Sequence, residues 1–246
     1  MSEISTNSLK IREMFSRTAP RYDLLNRILS LGIDRRWRRH VASRIRCQDN
    51  GLVLDIATGT GDMALAVAAS IDGSAGIIGV DFCEEMIRLA AVKISASPFR
   101  ERIALGIASC ESLPFRDDTF DSATIAFGIR NVGDRELGLR EILRVLKPGG
   151  RLLLLEFSTP RSRLFRALYH FYFIRILPAV GGMISDSGAY RYLPRSVLEF
   201  PDRKTFLNMM RLVGFTNLAY TDLTFGIVTE YRGEKPPISS SHTPRP

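Results

Sequence analysis

The chain has 246 residues, of which 45% are hydrophobic and 24% charged, and its formal net charge is +8. This composition is typical of a globular domain with a buried core, and the longest uncharged apolar stretch, 176–185, is too short and too rich in Pro and Gly to cross a membrane. The N-terminus has no apolar signal core and the three cysteines have no metal-ligand spacing, so we expect a cytoplasmic protein with free thiols and no metal site.

Residues 1–46 are predicted to form a helical cover over the main domain. Helical periodicity over 10–16 and 21–31 is followed by a basic helix that Asp34 caps and that ends near Ile45. Six arginines surround Trp37 there, namely Arg35, Arg36, Arg38, Arg39, Arg44 and Arg46. They form either a solvated basic face or a surface attracted to an anionic membrane on its cytoplasmic side. No nucleic-acid recognition motif accompanies the charge, so no nucleic-acid partner is expected.

Residues 47–232 alternate between strand and helix patterns, which predicts one α/β domain with a parallel sheet and helices on both faces. The predicted strands are 52–56, 75–80, 102–108, 121–127 and 151–157. The predicted helices are 63–71, 84–95 and 134–146, the last of them capped by Asp134, and 147–150 is a turn.

The pattern changes after residue 157. An insertion near 160–200 is predicted to act as a lid, with an aromatic-rich helical stretch over 164–177 and irregular chain over 181–194. A helix over 202–213 and a strand pair over 215–221 and 223–230 follow. The Pro/Ser-rich segment 233–246 is predicted to be a disordered tail.

A buried strand that ends in a carboxylate and leads into a glycine turn marks the candidate ligand site. Asp55 ends this strand, and Ala57, Gly59 and Gly61 follow before the next helix. Glycines let the backbone approach a ligand closely, and ligands bind at such strand ends in open α/β sheets. Asp81, at the end of the second strand, offers an acceptor for ribose hydroxyls. For both aspartates the alternative role is a cap of the local turn or helix.

The glycine turn followed by Asp81 also fits a dinucleotide fingerprint. Asp55 argues against a pyrophosphate there, because two like charges ~4 Å apart repel by about 4 kcal/mol at an effective dielectric of ~20. S-adenosylmethionine carries an ammonium and a sulfonium and no phosphate, so we predict this cofactor rather than NAD. The Thr60 hydroxyl contacts the cofactor or stabilises the turn. Ser109 and Cys110 follow the third strand, where the adenine is expected, and Phe82, Met86 and Leu113 pack against the base or in the core.

Four segments, LDIATGTGD, GVDFCEEM, ESLPFRDDTFD and LREILRVLKPGGRLLLLEFS, resemble the class I methyltransferases. More specific are FSRTAPRYDLLNRILSLGIDRRWRR, FGIRNV, and the chain from YRYLPRSVLEFP to GIVTEYRG. With these, the chain from about Met14 to Gly233 resembles the ubiquinone/menaquinone biosynthesis C-methyltransferases. The resemblance implies a Rossmann-like class I methyltransferase fold with a seven-stranded, mostly parallel sheet.

The resemblance also implies a reaction and a set of contacts. The reaction is methyl transfer from S-adenosylmethionine to a ring carbon of a prenylated quinol: demethylmenaquinol, a polyprenyl methoxybenzoquinol, or both. The cofactor positions of the family map onto Thr60, Asp81 and the pair Ser109–Cys110. The family commonly has Asn or Asp followed by Ala at that pair, so this chain departs from the pattern. Ala126 stands where some relatives have a serine contact, which we expect to be absent.

Methyl transfer from a sulfonium needs no metal, but the quinol hydroxyl must lose a proton. Arg130 is expected to stabilise the phenolate or orient a water, Asn131 to hold a quinol oxygen, and Tyr22 to cover the site. The alternatives are a surface ion pair for Arg130 and plain packing for Tyr22. His40 and His170 are candidate bases by residue type only. The aromatic stretch 165–173 lines a tunnel for the prenyl tail, forms a lid, or packs in the core.

Three other functions stay open on the sequence alone. They are a class I methyltransferase with another acceptor, a NAD-dependent dehydrogenase, and a non-enzymatic subunit that binds the cofactor within a quinone-synthesis complex. The sequence does not choose between naphthoquinol and benzoquinol, and it leaves the oligomeric state open, a homodimer being one option.

Overall fold

The computed structural model describes residues 30–71, 73–171 and 187–237, together with the single residues 13, 14, 16, 19, 23, 26 and 27. Tyr22 lies outside the described residues, as do 1–12, 172–186 and the tail 238–246. The predictions made for those positions therefore stay predictions.

Seven strands form one open sheet in the order β3-β2-β1-β4-β5-β7-β6. The strands are β1 Leu52–Ile56, β2 Gly76–Asp81, β3 Ile103–Ile107, β4 Phe120–Ala126, β5 Leu146–Phe157, β6 Thr216–Leu223 and β7 Val228–Glu234. The first five are parallel to one another, and β7 pairs antiparallel with both β5 and β6. This sheet confirms the predicted fold class.

The helices described are α1 Asp34–Ala42, α2 Asp62–Ala68, α3 Glu84–Ser95, α4 Arg135–Val145, α5 Arg163–Phe171, α6 Ser187–Leu198 and α7 Arg203–Val213. The range predicted for α3 is confirmed. Asp134 caps α4 as predicted, because its side chain accepts a hydrogen bond from the backbone N of Leu137 at 3.0 Å. Among the described residues, no helix has the length and apolar character that a membrane span requires.

The predicted cap of the basic helix is wrong. Asp34 is the first residue inside α1, Ile33 occupies the cap position, and no side chain caps this end. The Asp34 carboxylate instead accepts from the Ser30 hydroxyl at 2.8 Å and from Arg38 Nη1 at 2.5 Å, so its oxygens are taken up by side chains. The helix also ends at Ala42, before the predicted Ile45.

Two boundaries in the C-terminal part differ from the prediction. The segment predicted as irregular is helical from Ser187 onward, and α6 continues through Pro194. A proline removes one N–H donor from the helix, and the surrounding residues continue it here. The tail starts later than Gly233, because β7 runs to Glu234, whose carboxylate pairs with Arg151 Nη2 at 2.6 Å.

The predicted turn 147–150 lies within β5, which pairs with β4 from Leu146 onward. The register between the two strands shifts just after that pair, and Gly149 has a φ of +77°. The glycines therefore bend the start of the strand instead of separating it from the preceding helix.

The strand order predicts where in the sheet a ligand binds. Strands β1 and β4 are neighbours at the centre, and the chain winds outward from them in both directions. In such a sheet, ligands bind in the crevice at the carboxyl ends of the strands where the order reverses. The interior is apolar, and Leu152, Leu153, Leu154 and Leu155 of β5 are fully buried. The buried strands thus form a rigid base for the loops at that edge.

Candidate functional site

A cavity that is open to solvent lies at the carboxyl edge of the parallel strands, and it encloses about 770 Å³ of space when the solvent at its mouth is included. Six residues that were predicted to belong to the site line it, namely Ala57, Gly59, Asp81, Ser109, Cys110 and Asn131.

Asp81 holds the glycine turn from the end of β2. Its Oδ2 accepts from the backbone N of Gly59 at 2.9 Å, and its Oδ1 accepts from the backbone N of Cys83 at 2.9 Å. Burial raises the pKa of this carboxyl, and the backbone donors work against that rise. Cys83, not Asp81, occupies the cap position of α3. Asp81 therefore links two strand ends at the wall of the cavity.

Tight backbone geometry surrounds the cavity. Gly61 has a φ of +84° at the start of α2. Ala57 and Phe127, which follow β1 and β4, have φ values of +51° and +59°, which is uncommon for residues other than glycine. A Cβ at Gly128 would lie 2.5 Å from the Cβ of Ala57, so only glycine fits there. Such strain is concentrated at functional sites in proteins.

The described lining of the cavity is acidic. Asp81 and Glu111 are its two charged residues, and it includes no Lys or Arg. Glu111 Oε2 accepts from the Ser109 hydroxyl at 3.2 Å, and its Oε1 accepts from the backbone N of Asp134 at 2.6 Å. Burial raises the pKa of the Cys110 thiol to about 12, so the thiol is neutral at physiological pH. The cavity therefore suits a ligand that carries positive charge and has hydroxyl donors.

Asp55 lies beneath the glycine turn and does not line the cavity. It is fully buried, and its oxygens accept from the hydroxyls of Thr58 at 2.5 Å and Thr124 at 2.8 Å. Burial raises its pKa to about 6, and the hydroxyls and the backbone amide of Ala64 work against that rise. Its contacts are those of a residue that shapes the turn, and its role in cofactor binding stays a prediction.

Thr60 joins the turn to the N-terminal segment. Its hydroxyl donates to Asp23 Oδ1 at 2.5 Å and accepts from Lys93 Nζ at 3.0 Å. Lys93, on α3, also pairs with Asp23 and, at 2.7 Å, with Asp62. A cofactor contact of Thr60 stays a prediction, because this hydroxyl already takes part in a network that the sequence did not reveal.

Arg130 forms a buried ion pair, not the surface pair that was the alternative. Its Nη1 donates to Glu156 Oε1 at 2.8 Å and to the carbonyl of Phe127 at 2.5 Å. Glu156, at the end of β5, is fully buried, and its Oε2 also accepts from the backbone N of Arg130 at 3.3 Å. The guanidinium carbon lies 5.5 Å from the centre of the Phe157 ring. Arg130 is thus fixed beside the cavity.

Two tyrosines approach this ion pair from the helices that follow β5. The Tyr192 hydroxyl, on α6, donates to Asn131 Oδ1 at 2.8 Å. Burial raises the pKa of Tyr192 and of Tyr169 on α5, and the charges of Arg130 and Glu156 act on both. Glu156 and Tyr192 were not predicted, and Tyr169 was predicted only as part of the aromatic stretch 165–173. Glu156 had a signal, a lone carboxylate that ends a run of leucines, whereas Tyr192 had none.

The remaining predicted residues are spread more widely. Phe82 and Met86 line the cavity, whereas Leu113 packs in the core. His40 Nε2 lies 3.0 Å from Glu230 Oε2, next to Arg44, and does not line the cavity.

The described residues of the aromatic stretch 165–173 have different surroundings. Tyr169 is buried near the ion pair. Phe165 stacks on Phe225 with ring centres 4.2 Å apart, and Phe171 is exposed. Residues 172 and 173 lie outside the described part of the chain.

Sequence comparison finds close similarity to a known family over nearly the whole chain. Residues 3–235 match the ubiE/COQ5 methyltransferase family. A protein of Geobacter sulfurreducens named "Ubiquinone/menaquinone biosynthesis C-methyltransferase UbiE" is 58% identical over 96% of this chain and 92% of its own. The "Demethylmenaquinone methyltransferase" of Deinococcus radiodurans is 47% identical over 92% of each chain.

Solved structures with the same fold are much less similar in sequence. A putative S-adenosylmethionine-dependent methyltransferase of Methanococcus maripaludis superposes with a TM-score of 0.66 at 20% identity, over 90% of this chain and 93% of its own. The [4+2]-cyclase SpnF superposes with a TM-score of 0.69 at 19% identity, over 94% of this chain and 96% of its own. At this identity the likeness establishes the fold alone.

Proposed function

The chain belongs to the ubiE/COQ5 methyltransferase family, and we propose that its acceptor is a ring carbon of a prenylated quinol. The protein is a C-methyltransferase, and S-adenosylmethionine is its methyl donor. Demethylmenaquinol, a polyprenyl methoxybenzoquinol, or both are the acceptors that fit the names of its relatives. The proposed place of action is the cytoplasm.

The observation that carries the donor assignment is the charge of the cavity. Its described lining contains Asp81 and Glu111 and no basic side chain. A dinucleotide pyrophosphate would meet two carboxylates with no cation to offset them. The ammonium and sulfonium of S-adenosylmethionine are attracted by the same groups. The NAD-dependent dehydrogenase is therefore disfavoured by Asp81 and Glu111 of the lining, and not by Asp55, which does not line the cavity.

When bound, S-adenosylmethionine supplies a methyl group that is already activated for transfer. The protein has to place the acceptor, exclude water and stabilise the oxyanion of the quinol. Asp81 is the acceptor for the ribose hydroxyls in this proposal. Asn131, which lines the cavity and lies next to Arg130, holds a quinol oxygen. The Arg130 guanidinium is paired with Glu156, so its part in this proposal is to offer an N–H donor to the oxyanion or to a water beside it, and not a net positive charge.

The decisive test uses purified protein with reduced demethylmenaquinol and a demethylated polyprenyl methoxybenzoquinol. We expect one or both to gain one methyl group in the presence of the donor, as measured by mass spectrometry. The matching test in cells is the quinone profile of a strain that lacks its own C-methyltransferase, with and without this protein. Donor binding with no methylation of either quinol would favour the non-enzymatic subunit and contradict the proposal.

A prenylated acceptor resides in the membrane, so we also propose peripheral association with an anionic lipid surface. The exposed arginines of α1 support this, although Arg38 is buried in its pair with Asp34 and does not contribute. Trp37 Nε1 donates to Thr224 at 2.8 Å, which places α1 beside the exposed Phe225. A basic surface thus adjoins an exposed aromatic ring.

Vesicle flotation tests this association. We expect the protein to float with anionic vesicles at low salt and to be released by salt, because the attraction is screened. The double variant R35E/R36E should remain in solution, whereas the control R88E/R140E, which makes an equal charge change on α3 and α4, should still float. Equal behaviour of the two double variants would contradict the proposed surface.

A further inference from the structure

The side chain of Asn131 connects the cavity to a distant part of the chain. Asn131 lines the cavity, and its Oδ1 accepts the hydrogen bond from Tyr192, which lies 61 residues later in the sequence. This bond joins the carboxyl edge of β4 to α6, a helix that contributes none of the residues described as lining the cavity.

The main chain around Asn131 is held by other groups. The backbone N of Asn131 donates to the carbonyl of Gly128 at 3.0 Å. The carbonyl of Arg130 accepts from Arg135 Nη2 at 3.2 Å, while the Arg130 side chain is held by Glu156. These contacts fix the backbone of the turn but do not fix the orientation of the Asn131 side-chain amide. The Tyr192 hydroxyl fixes that orientation by donating to Oδ1. The two N–H donors on Nδ2 then remain for a different partner.

We propose that Tyr192 is a positioning residue of the acceptor site, which holds Asn131 so that Nδ2 donates to the acceptor oxygen that becomes anionic when the quinol releases its proton to solvent, before the ring carbon takes the methyl group from the sulfonium. This inference rests on the proposed function. An N–H donor that is already oriented stabilises the phenolate as it forms by loss of the proton, without reorganisation of the site, and so raises the fraction of acceptor that can attack the methyl group. Burial raises the pKa of Tyr192, so its hydroxyl keeps the proton that it donates to Asn131 at neutral pH.

The C-terminal half of α6 is anchored firmly enough to position a side chain. Ser196 and Val197 are buried, and residues four apart lie on the same face of a helix, so Tyr192 and Ser196 both face inward. Phe200, just past the helix, packs on Phe206 with ring centres 5.0 Å apart. The guanidinium carbon of Arg135 lies 5.6 Å from the Phe200 ring centre. The same arginine bonds to the turn that carries Asn131, so helix and turn share a support.

The first test is Tyr192→Phe, which removes the hydroxyl and keeps the ring. We expect kcat for the quinol to fall about tenfold, since one hydrogen bond and its orientation are lost. The dissociation constant of S-adenosylmethionine should change less than twofold, and the melting temperature should stay close to that of the wild type. Tyr220→Phe is the matched control, because its hydroxyl contacts Arg161 on the surface. It should behave as the wild type.

The second test asks whether the two residues act as one unit. In an Asn131→Ala background, Tyr192→Phe should cause no further loss of kcat. Asn131→Asp keeps an oxygen for the Tyr192 hydroxyl but has no N–H donors, so it should lose kcat as severely as Asn131→Ala. If Tyr192→Phe proves unstable, Asn131→Asp still tests the N–H donor on which the inference depends, because wild-type kcat in this variant overturns it.

Two results would overturn the inference: an Asn131→Asp enzyme with wild-type kcat, or losses from Tyr192→Phe and Asn131→Ala that multiply in the double variant. Failure of the proposed function is a separate result, because it would appear as absence of quinol methylation by the wild-type protein. Variants are compared only once the wild type turns over.

Discussion

Asp81→Asn tests the donor site most directly. The carboxylate accepts one backbone N–H with each oxygen, from Gly59 and from Cys83, both at 2.9 Å. Asparagine keeps one acceptor oxygen and places an NH₂ group opposite the other N–H. In the proposed function Asp81 also accepts from the ribose hydroxyls of the donor. Loss of one hydrogen bond to a charged group costs about 1.5–3 kcal/mol, which corresponds to about ten- to a hundredfold weaker binding of the donor. We therefore expect the dissociation constant of S-adenosylmethionine to rise at least tenfold.

Isothermal titration calorimetry with S-adenosylmethionine measures this effect, and Asp121→Asn is the matched control. Asp121 Oδ2 accepts from the backbone N of Leu52 at 2.9 Å and from Lys147 Nζ at 2.9 Å, at the opposite edge of the sheet. The control is expected to lower stability and leave donor affinity within twofold of the wild type. A folded Asp81→Asn protein that binds the donor as tightly as the wild type would refute the reasoning.

Three further variants test charged groups around the site. Asp55 has a pKa of about 6 in the folded protein against 3.8 for an ordinary carboxyl, so the native state holds the proton more tightly and stability is lost as pH rises between these values. Chemical denaturation of Asp55→Asn should therefore show a gain over the wild type of about 3 kcal/mol on going from pH 3.5 to pH 7, and a pH-independent difference would contradict it. Glu156→Gln leaves the Arg130 charge buried without its partner, and should lower the free energy of unfolding by about 3 kcal/mol; an unchanged denaturation midpoint would refute this. Lys93→Met breaks the ion pairs with Asp23 and Asp62, and limited proteolysis should then cleave the chain near Asp23 several-fold faster; equal cleavage rates would contradict a role of Lys93 in holding Asp23.

The proposed donor half of the site, which is Asp81 and the glycine turn, could be predicted because each part of it is local in sequence. A strand, a turn and a helix start are encoded by the run from Val53 to Asp62, and the structure brings Gly59 to Asp81 as the topology of a parallel sheet requires. Asp55 shows the limit of that reasoning. Its place at a strand end was correct, but side-chain direction decides whether a carboxylate faces the cavity or the interior, and Thr58 and Thr124 engage it inside.

The partners of the predicted Arg130–Asn131 pair could not be read from the sequence in the same way. Glu156 and Tyr192 lie 26 and 61 residues from their partners, and only the packing of β5 and α6 brings them together. Periodicity also gave a wrong prediction at α6, since the pattern predicts irregular chain up to Pro194 and the helix begins at Ser187. A proline in the local sequence argues against a helix. The buried side chains of Val197 and Phe200 stabilise the helix through tertiary packing, which a local pattern does not include.

The two halves of the proposed site therefore come from different parts of the chain, and this division predicts which substitutions change the choice of acceptor. Asp81 and the glycine turn depend on contacts within the first two strands, which a change in α5 or α6 leaves intact. Tyr169 and Tyr192 reach the ion pair from those two helices, so substitutions there can alter the acceptor without disturbing the donor. Asn131 belongs to both halves, since it lines the cavity and bonds to Tyr192. It is the position where donor affinity and acceptor turnover are expected to change together.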